Sequence, residues 1–314
     1  MLKRSGKVYL SGNTGLLGSS ALRLLKDRGF KNILVRNHKR LDLTRQLDVE
    51  KFFKNERPAY CFMAAAKVGG ILANRTLTGQ FIYDNLMIEA NIINAAYISG
   101  VKKLLFYASA CSYPVDSRQP MKEEYFLTGR PEHTNISYAV AKIAGITLCQ
   151  AYRAQYGCNF ICAVPTNAYG PRDNFDLKDA HVIPALIRRL HDAKIKGDKK
   201  IILWGTGKPK REFIYSDDVA NASLFLMDHY NSPDIINIGS GCEISVKDLS
   251  NLVKDVIGYR GSIAFDRTKP DGASRKLLDS TRINRLGWRA RVSIEEGIKK
   301  TYDWFIKEYH ANEV

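Results

Sequence analysis

A tyrosine and a lysine that stand four residues apart are the first side chains in this sequence that could do chemistry. Tyr138 and Lys142 fall on a predicted helix and share one of its faces, and Ser109 follows a predicted strand that ends at Tyr107. A lysine ammonium lowers the pKa of a tyrosine from its usual ~10. The phenol then exchanges a proton with a carbonyl or an alcohol while a nicotinamide exchanges hydride. Taken alone, the spacing is more typical of an ordinary surface helix.

A glycine-rich loop near the N-terminus provides the matching half of such a site. The loop is Gly12, Asn13, Thr14, Gly15, Leu16, Leu17 and Gly18. Its glycines have the spacing G-x-x-G-x-x-G and lie between a predicted strand and a predicted helix. Glycines at this junction let backbone N–H groups and the positive helix end approach a pyrophosphate. An ordinary tight turn is the alternative, but the position of the loop favours dinucleotide binding.

The end of the second predicted strand indicates which dinucleotide binds. An acidic residue there would bind the ribose 2′-hydroxyl of NAD, but this strand runs into Arg36, with Lys39 and Arg40 close behind. Cations favour a 2′-phosphate, so the sequence predicts NADP(H). The alternative is that these basic residues form a solvated loop.

Short apolar runs that alternate with helical segments predict how these groups are positioned. The predicted strands are residues 8–10, 33–35, 60–63, 104–107 and 160–164, and the predicted helices include residues 82–98 and 139–156. This alternation indicates an α/β fold with a Rossmann-type, doubly wound parallel sheet. In such a sheet, ligands bind at the carboxyl ends of the strands.

The pattern loosens after residue 172, where a smaller C-terminal α/β substrate domain is predicted. We therefore expect a dinucleotide-binding domain over residues 1–172 and a mainly substrate-binding domain over residues 173–314. Ser216-Asp217-Asp218 is typical of a helix N-cap, and residues 235–238 are predicted to form a buried strand. The segment 216–238 is expected to return to the first sheet.

Composition excludes several classes of protein. The chain has 314 residues, of which 45% are hydrophobic and 25% charged, as in an ordinary globular protein. No apolar run approaches the ~18 residues that cross a bilayer, so no membrane partner is expected. The six cysteines and six histidines are scattered without metal-ligand spacing, which favours reduced thiols, a cytoplasmic location and no metal.

The net charge of +16 is compatible with nucleic-acid binding, but the basic residues are spread along the chain rather than clustered. No nucleic-acid partner is therefore expected. A basic surface also suits a substrate that carries several phosphate charges.

Several longer segments carry a resemblance to a known family. They are residues 64–71, 109–114, 138–145, 165–171, 173–175, 181–186, 204–207, 211–213, 269–272 and 275–279. By these segments the chain resembles the extended short-chain dehydrogenases/reductases over nearly its full length. Within them it is similar to the branch that epimerises and reduces GDP-4-keto sugars.

The resemblance assigns two groups of catalytic residues. It implies that Ser109, Tyr138 and Lys142 are a reductase triad, and that Cys111 and His181 are the base and acid of an epimerisation. A ketone at sugar C4 accepts hydride and also acidifies the C–H bonds at C3 and C5, so one site could serve all three positions. Inverting a centre needs two separate proton-transfer groups. The alternative is that Cys111 is a small buried residue and His181 a helix cap.

The resemblance also implies the binding residues. On the cofactor side they are the glycine loop, Arg36, Asp42, Leu43, Ala64, Ala65, Asn85, Tyr138, Lys142, Pro165, Asn167 and His181. On the substrate side they are Asn167, Val182, Leu186, Arg189, Trp204, Arg211 and Lys276. Two positions depart from the family. Asn13-Thr14 replaces a frequent basic residue, which leaves Arg36 as the candidate for the 2′-phosphate, and Ala110 replaces a serine that could bond the sugar.

The implied activity is the NADPH-dependent 3,5-epimerisation and 4-reduction of GDP-4-keto-6-deoxy-D-mannose. A C4-reductase of a related GDP-4-keto sugar, such as a 6-deoxyheptose, is the nearest alternative. A nucleotide-sugar 4-epimerase, which would not need Cys111 and His181, is a more distant one, and a non-enzymatic redox sensor would be expected to lose Tyr138 or Lys142. By analogy with the family, we expect a homodimer formed through the helices at residues 82–98 and 139–156.

Overall fold

The computed structural model describes residues 2–309 of the chain. Met1 and residues 310–314, which the predicted domains include, lie outside this range. The strands are, in chain order, β1 (Val8–Ser11), β2 (Ile33–Leu34), β3 (Tyr60–Met63), β4 (Lys103–Tyr107), β5 (Phe160–Pro165), β6 (Asn167–Tyr169), β7 (Lys200–Trp204), β8 (Lys210–Tyr215), β9 (Ile236–Ile238), β10 (Glu243–Ser245), β11 (Ser262–Asp266) and β12 (Arg275–Lys276). The α-helices are α1 (Leu16–Asp27), α2 (Gln46–Glu56), α3 (Ile71–Thr76), α4 (Thr78–Ile98), α5 (Ile136–Tyr156), α6 (Val182–Lys196), α7 (Ser216–His229), α8 (Val246–Ile257), α9 (Thr281–Arg285) and α10 (Ile294–Trp304).

A six-stranded parallel sheet forms the centre of the molecule. Its strand order is β2-β1-β3-β4-β5-β9, so the chain winds outward in one direction from β1 to β2 and in the other from β3 to β9. This confirms the predicted Rossmann-type sheet. The last strand, β9, comes from the segment 216–238 and pairs with β5. The division of the chain into two domains remains a prediction.

The strands of this sheet are buried on both faces, which explains why their sequences are continuously apolar. On β1, Leu10 belongs to the core cluster that includes Leu25 of α1 and Val219 of α7. The neighbouring Tyr9 faces the opposite side, where its ring lies 5.3 Å from that of Phe53 on α2. The two helical layers therefore fix the sheet from both sides.

A second region contributes the other wall of the site. There β8 pairs with β6, β10 and β12, and β7 pairs with β11 in a separate two-stranded sheet. Helices α6, α8 and α10 cover these strands around a third core that includes Leu186, Leu249 and Ile298. Because β6 follows β5 after a single residue, this region is attached directly to the carboxyl edge of the central sheet.

Two glycines of the loop after β1 are required by close backbone packing. Gly12 has a φ of +70° and a Cβ there would lie 2.7 Å from the backbone nitrogen of Ala65. A Cβ on Gly18 would lie 2.0 Å from the carbonyl oxygen of Gly12. A Cβ on Gly15 would meet only that same oxygen, at 3.7 Å, so Gly15 is not held by packing. Its role is therefore to leave the backbone open at the start of α1.

The predicted helix cap at Ser216 is wrong, although the helix itself is present. Helix α7 begins at Ser216, and no side chain caps it. The acidic side chains that looked like caps have other partners. Asp217 accepts a hydrogen bond of 2.6 Å from Arg23 on α1, and Asp218 accepts one of 3.0 Å from the backbone N–H of Arg291. These carboxylates connect α7 to neighbouring elements instead of capping its N-terminus.

Within the described residues, none of the helices combines the length and the apolar character needed to cross a bilayer.

Candidate active site

A cavity of about 920 Å³ lies at the carboxyl ends of the central strands, between the glycine loop and the second region. It contains most of the residues predicted from the sequence. Those in its wall are Gly12, Asn13, Thr14, Gly15, Leu16, Leu17, Gly18, Arg36, Asp42, Leu43, Ala64, Ala65, Ser109, Cys111, Tyr138, Lys142, Pro165, Asn167, His181, Val182, Arg211 and Lys276. The loop after β1 and residues of β4, β5, β6, β8 and β12 thus meet at one edge of the fold.

The glycine loop fits a dinucleotide. Helix α1 starts after Gly15, and no side chain caps its first turn. The first backbone N–H groups of a helix lack partners within it, so here they are available to an anion at the positive helix end. Gly15 leaves the approach open, as shown above. These features are what a pyrophosphate needs, and they support the predicted binding of a dinucleotide here.

Arg36 lies just after β2 and is held in a fixed position by three contacts. Its guanidinium lies 2.8 Å from Glu56 Oε1, donates to the carbonyl of Val35, and packs 5.3 Å from the ring centre of Phe52. The Glu56 partner could not be predicted from the sequence, since the two residues are twenty positions apart. The guanidinium is thus oriented, and part of its charge is already compensated.

Three residues of the predicted triad meet on one wall. Lys142 is buried, and its Nζ donates a 3.1 Å hydrogen bond to the carbonyl of Tyr107 at the end of β4. The same Nζ lies 5.7 Å from the ring centre of Tyr138, one helical turn earlier on α5. The Ser109 hydroxyl lies close enough to the phenol of Tyr138 to lower its pKa. The predicted shared helix face is therefore present.

The predicted direction of the Tyr138 pKa shift is wrong. Burial raises the pKa of this phenol well above its usual value, and the nearby Cys111 and Glu89 raise it further, whereas the Ser109 hydrogen bond lowers it. The expected lowering by Lys142 is offset because Glu89 neutralises that ammonium, with 3.1 Å between Nζ and Oε1. The phenol is held protonated, which is the form that a proton donor requires.

Cys111 has a partner that sequence reasoning missed. Asn135 Nδ2 donates a 3.0 Å hydrogen bond to the sulfur of Cys111, and the backbone N–H of Cys111 donates to Ser109 Oγ at 3.2 Å. Asn135 lies just before α5 and also lines the cavity. The thiol is thus oriented toward the cavity from two sides, unlike a merely buried cysteine.

His181 lines the same cavity from the start of α6. It occupies the N-cap position, but its side chain makes no capping hydrogen bond. The ring is accessible from the cavity yet surrounded by protein, and this desolvation lowers the pKa of the imidazole. The helix-cap alternative therefore explains its position but not its orientation.

Asp173 is a second residue that the predicted site did not include. It lines the cavity, and its Oδ2 is buried without a hydrogen-bond partner among the described residues. Burial raises the pKa of this carboxyl to about 7, although a hydrogen bond from the backbone N–H of Asn174 opposes the rise. The structure identifies Asp173 as a candidate site residue because one oxygen of its cavity-lining carboxyl is buried and has no partner among the described residues. Sequence spacing does not reveal this.

Two cations stand side by side where the second region faces the cavity. Arg211 on β8 and Lys276 on β12 are direct partners in the parallel pairing of these strands, so their side chains share one face. Both line the cavity. Burial lowers the pKa of Arg211, while Asp271 raises it. An arginine remains charged at neutral pH even so, and such a pair is suited to bind phosphate groups.

Four predicted residues do not lie in the cavity wall. Asn85 is buried and its side-chain amide bonds the backbone N–H and carbonyl of Lys67, so it shapes the loop after β3 instead of facing a ligand. Leu186 belongs to the third core, and Arg189 is on the same helix, α6. Trp204 is 70% exposed at the end of β7. Their predicted contacts with ligands remain predictions.

No group of three or more His, Cys, Asp or Glu side chains that could hold a metal occurs between residues 2 and 309.

Comparison with known proteins relates this geometry to a family. The sequence model of the NAD dependent epimerase/dehydratase family matches residues 8–239. GDP-L-fucose synthase 1 of Arabidopsis thaliana is 50% identical over 98% of this chain and 95% of its own length. The GDP-L-fucose synthase of Sinorhizobium fredii is 51% identical over 98% of this chain and 97% of its own.

Solved structures show the same similarity. A GDP-mannoheptose C4 reductase from Campylobacter jejuni with NADP bound is 37% identical, with a TM-score of 0.90 over 98% of this chain and 100% of its own. A GDP-L-fucose synthetase from Naegleria fowleri bound to NADP is 30% identical, with a TM-score of 0.92 over 99% of this chain and 97% of its own.

The raised pKa of Asp173 predicts a pH-dependent stability. The unfolded chain releases this proton near the ordinary 3.8 and the folded chain at about 7. Between these values the folded state holds more protons, so this carboxyl lowers stability as pH rises. Asp173→Asn should therefore gain stability over the wild type as pH increases from 5 to 7, by at most about 1.4 kcal/mol per pH unit, and level off above 7.

Urea unfolding at pH 5, 6, 7 and 8 measures this difference. Asn174→Ser, a change between neutral side chains in the same turn, is the control, and its difference from the wild type should not vary with pH. Parallel stability curves for Asp173→Asn and the wild type would contradict the assignment.

Proposed function

The chain belongs to the NAD dependent epimerase/dehydratase family, and from this membership and the geometry of the cavity we propose that it converts GDP-4-keto-6-deoxy-D-mannose to GDP-L-fucose with NADPH. The observation that carries the proposal is the convergence of two proton-transfer sets in one cavity. Tyr138 with Lys142 forms one set, and Cys111 with His181 forms the other. A simple reductase or 4-epimerase does not need the second set.

The reduction depends on proton donation to the C4 oxygen. NADPH, when bound along the glycine loop, supplies the hydride that reaches C4. Tyr138 donates the proton to the oxygen, because burial keeps its phenol protonated. Ser109 orients the phenol, and Lys142 provides a cation on the same helix face, which can also bond the hydroxyls of a ribose.

The epimerisation depends on two groups that act on opposite faces of the sugar. Cys111, oriented by Asn135, removes the proton from a carbon next to the ketone. His181, which lines the same cavity, is proposed to return a proton to the opposite face. The same removal and return of a proton can invert either C3 or C5, since the ketone at C4 acidifies the C–H bond at each carbon.

The GDP part of the substrate is proposed to bind between the two regions. Arg211 and Lys276 are placed to bind the diphosphate, and the net charge of +16 attracts an anionic substrate. Val182 lies nearby in the wall and is proposed to contact the nucleoside.

Reduction of a related GDP-4-keto heptose is the second candidate. Its support is the similarity to the GDP-mannoheptose reductase structure, at 37% identity. The fucose synthases match at 50% and 51% identity over nearly the full chain, which favours the deoxyhexose.

A homodimer is also proposed, through the outer faces of α4 and α5. These helices pack against each other, and several of their exposed side chains are apolar. Tyr83 on α4 is 61% exposed, Val140 on α5 is 37% exposed, and Tyr97 stacks on Tyr156 at the far end of the pair. A second copy of the same surface would cover these groups.

All six cysteines are free thiols, which supports the proposed cytoplasmic location. Cell fractionation tests this location.

Separating the two chemistries tests the proposed function. In Cys111→Ser, solvent deuterium incorporation at C3 and C5 should fall by at least ~100-fold, because a serine hydroxyl ionises far less readily than a thiol at neutral pH. Slow reduction without epimerisation should persist. Tyr138→Phe should show the reverse, with exchange retained and reduction lowered by ~100-fold or more.

NMR and mass spectrometry of the products from the deoxyhexose and the heptose substrates provide both measurements. Cys242→Ser, which alters an exposed thiol outside the cavity, is the control. Wild-type exchange and epimerised product from Cys111→Ser would show that this residue is structural.

Cofactor choice tests the role of Arg36. Arg36→Ala should raise KM for NADPH about tenfold or more and change KM for NADH by less than about twofold, because the guanidinium is proposed to bond the 2′-phosphate. Lys39→Ala changes an exposed cation of the same loop that does not line the cavity, and should affect neither value. Equal changes for both cofactors in Arg36→Ala would exclude the proposed contact.

Association in solution tests the dimer. Sedimentation equilibrium should give about twice the 35.4 kDa of one chain. Val140→Glu should weaken the dimer by at least tenfold, because a charge would be buried in an apolar contact. Leu47→Glu, on the exposed side of α2, should leave the mass unchanged. A monomeric wild type would refute the proposal.

A further inference from the structure

A buried ion pair lies directly behind the proposed proton donor. Glu89 of α4 and Lys142 of α5 have side chains that are only 2% and 3% exposed, and Lys142 Nζ is 3.1 Å from Glu89 Oε1. Apart from this ion contact, neither oxygen of Glu89 has a hydrogen-bond partner among the described residues. The ammonium is therefore the group that compensates this carboxylate.

The ammonium is fixed at three points. Besides Glu89, its Nζ donates to the carbonyl of Tyr107 at 3.1 Å and lies 4.6 Å from the ring centre of Phe106. These contacts come from α4 and from the carboxyl end of β4. Together they determine where the positive charge sits relative to Tyr138, one turn away on α5.

The chain leaves space for the carboxylate. A Cβ on Gly145 would lie 2.6 Å from Glu89 Oε2 and 2.5 Å from the ring of Phe106. Glycine in the middle of a helix is less favourable than alanine. That glycine stands at this point of α5 indicates that the space is used, and Glu89 with Phe106 occupies it.

Besides the proposed proton donor, one lysine and three cysteines are the titratable groups that interact with Glu89 or with its neighbour Cys149. Lys142 is the charged group that acts on Glu89, and its effect opposes the rise in the carboxyl pKa that burial causes. Glu89 also acts on the buried thiol of Cys149 on α5, which is influenced in addition by Cys162 of β5 and Cys61 of β3. Burial raises the pKa of the Cys149 and Cys61 thiols, so they stay uncharged at neutral pH.

We infer that Glu89 is a positioning residue for the proton-donating tyrosine: it holds the Lys142 ammonium in place, and its negative charge offsets the ammonium at the Tyr138 hydroxyl. This inference rests on the proposed function of Tyr138. It assigns a role in the reaction to a residue of α4 that does not line the cavity. Removing the negative charge of Glu89 lowers the pKa of the groups beside it, so that the Tyr138 phenol or the Lys142 ammonium loses its proton at a lower pH.

The pH profile of kcat/KM for NADPH-dependent reduction tests this role. Glu89→Gln keeps the shape and removes the charge, so the alkaline limb of the profile should move down by one pH unit or more. Glu89→Asp keeps the charge at a shorter reach, so the limb should stay within about half a unit of the wild type while kcat falls severalfold. Glu295→Gln removes an exposed carboxylate on α10 and is the control for net charge.

A merely structural glutamate would give a different result. In that case Glu89→Gln would retain the wild-type alkaline limb, whatever its kcat, and the inference would be overturned. Circular dichroism and NADPH affinity show whether each variant is folded. Should Glu89→Gln not fold, Glu89→Asp decides, because an unshifted limb with lower kcat and a KM for NADPH within about twofold of the wild type supports positioning, and unchanged kcat refutes it.

A second readout does not depend on the substrate. In protein labelled with [13Cζ]tyrosine, the resonance missing from Tyr138→Phe reports this phenol. Its tyrosinate should form at a pH at least one unit lower in Glu89→Gln than in the wild type. Identical titration curves would overturn the inference. If the wild type reduced no GDP-4-keto sugar, the proposed function would fail, and this measurement would still decide the role of Glu89.

Discussion

The burial of a lysine–glutamate pair between α4, α5 and β4 constrains much of the active-site wall. Removing one partner of a buried pair leaves an uncompensated charge, at a typical cost of about 3–5 kcal/mol. The chain must therefore keep two long helices in register, keep Gly145 without a side chain, and end β4 where its carbonyl meets the ammonium. Tyr138 is one turn from this fixed point, so its phenol inherits the same rigidity. A donor that is held in place loses little entropy when the substrate arrives.

The electrostatics of the cavity divide it into two parts. Burial shifts three cavity-lining groups toward their neutral forms: the pKa of Tyr138 is raised, that of His181 is lowered, and that of Asp173 is raised to about 7. Neutral groups of this kind are suited to give or take a proton. At the second region, Arg211 and Lys276 stand together as cations, where a diphosphate needs charge. Proton transfer and anion binding are thus assigned to different ends of one cavity.

Much of the fold was predictable because it depends on local patterns. Strands buried on both faces must be continuously apolar, and all five predicted strands of the first half are present within one residue of their predicted ends. The glycine loop and the pair on α5 were also predictable, since fixed spacing along the chain determines them. The cap at Ser216 was misassigned because acidic residues that start a helix resemble caps whether they bond its backbone or its neighbours.

The partners of the site residues could not be predicted from the sequence. Glu56 and Arg36, Glu89 and Lys142, and Asn135 and Cys111 are each brought together by folding across twenty or more positions, with no motif to mark them. The direction of the Tyr138 pKa shift was misjudged because burial, its largest cause, and the charges of Cys111 and Glu89 depend on the folded structure. A lysine four residues away is visible in the sequence, but the carboxylate that cancels its charge lies on another helix.

Ser109 shows how two chemistries can share one cavity without separate scaffolds. Its hydroxyl accepts a hydrogen bond from the backbone N–H of Cys111 and also lowers the pKa of the Tyr138 phenol. Cys111, the proposed base of the epimerisation, and Tyr138, the proposed acid of the reduction, therefore both interact with Ser109, just after β4. A sugar whose C4 oxygen points at Tyr138 is proposed to present its neighbouring carbons to Cys111, which lines the same cavity. The distance between the reacting carbons is fixed by the sugar ring itself, so a single rigid turn suffices to position both groups.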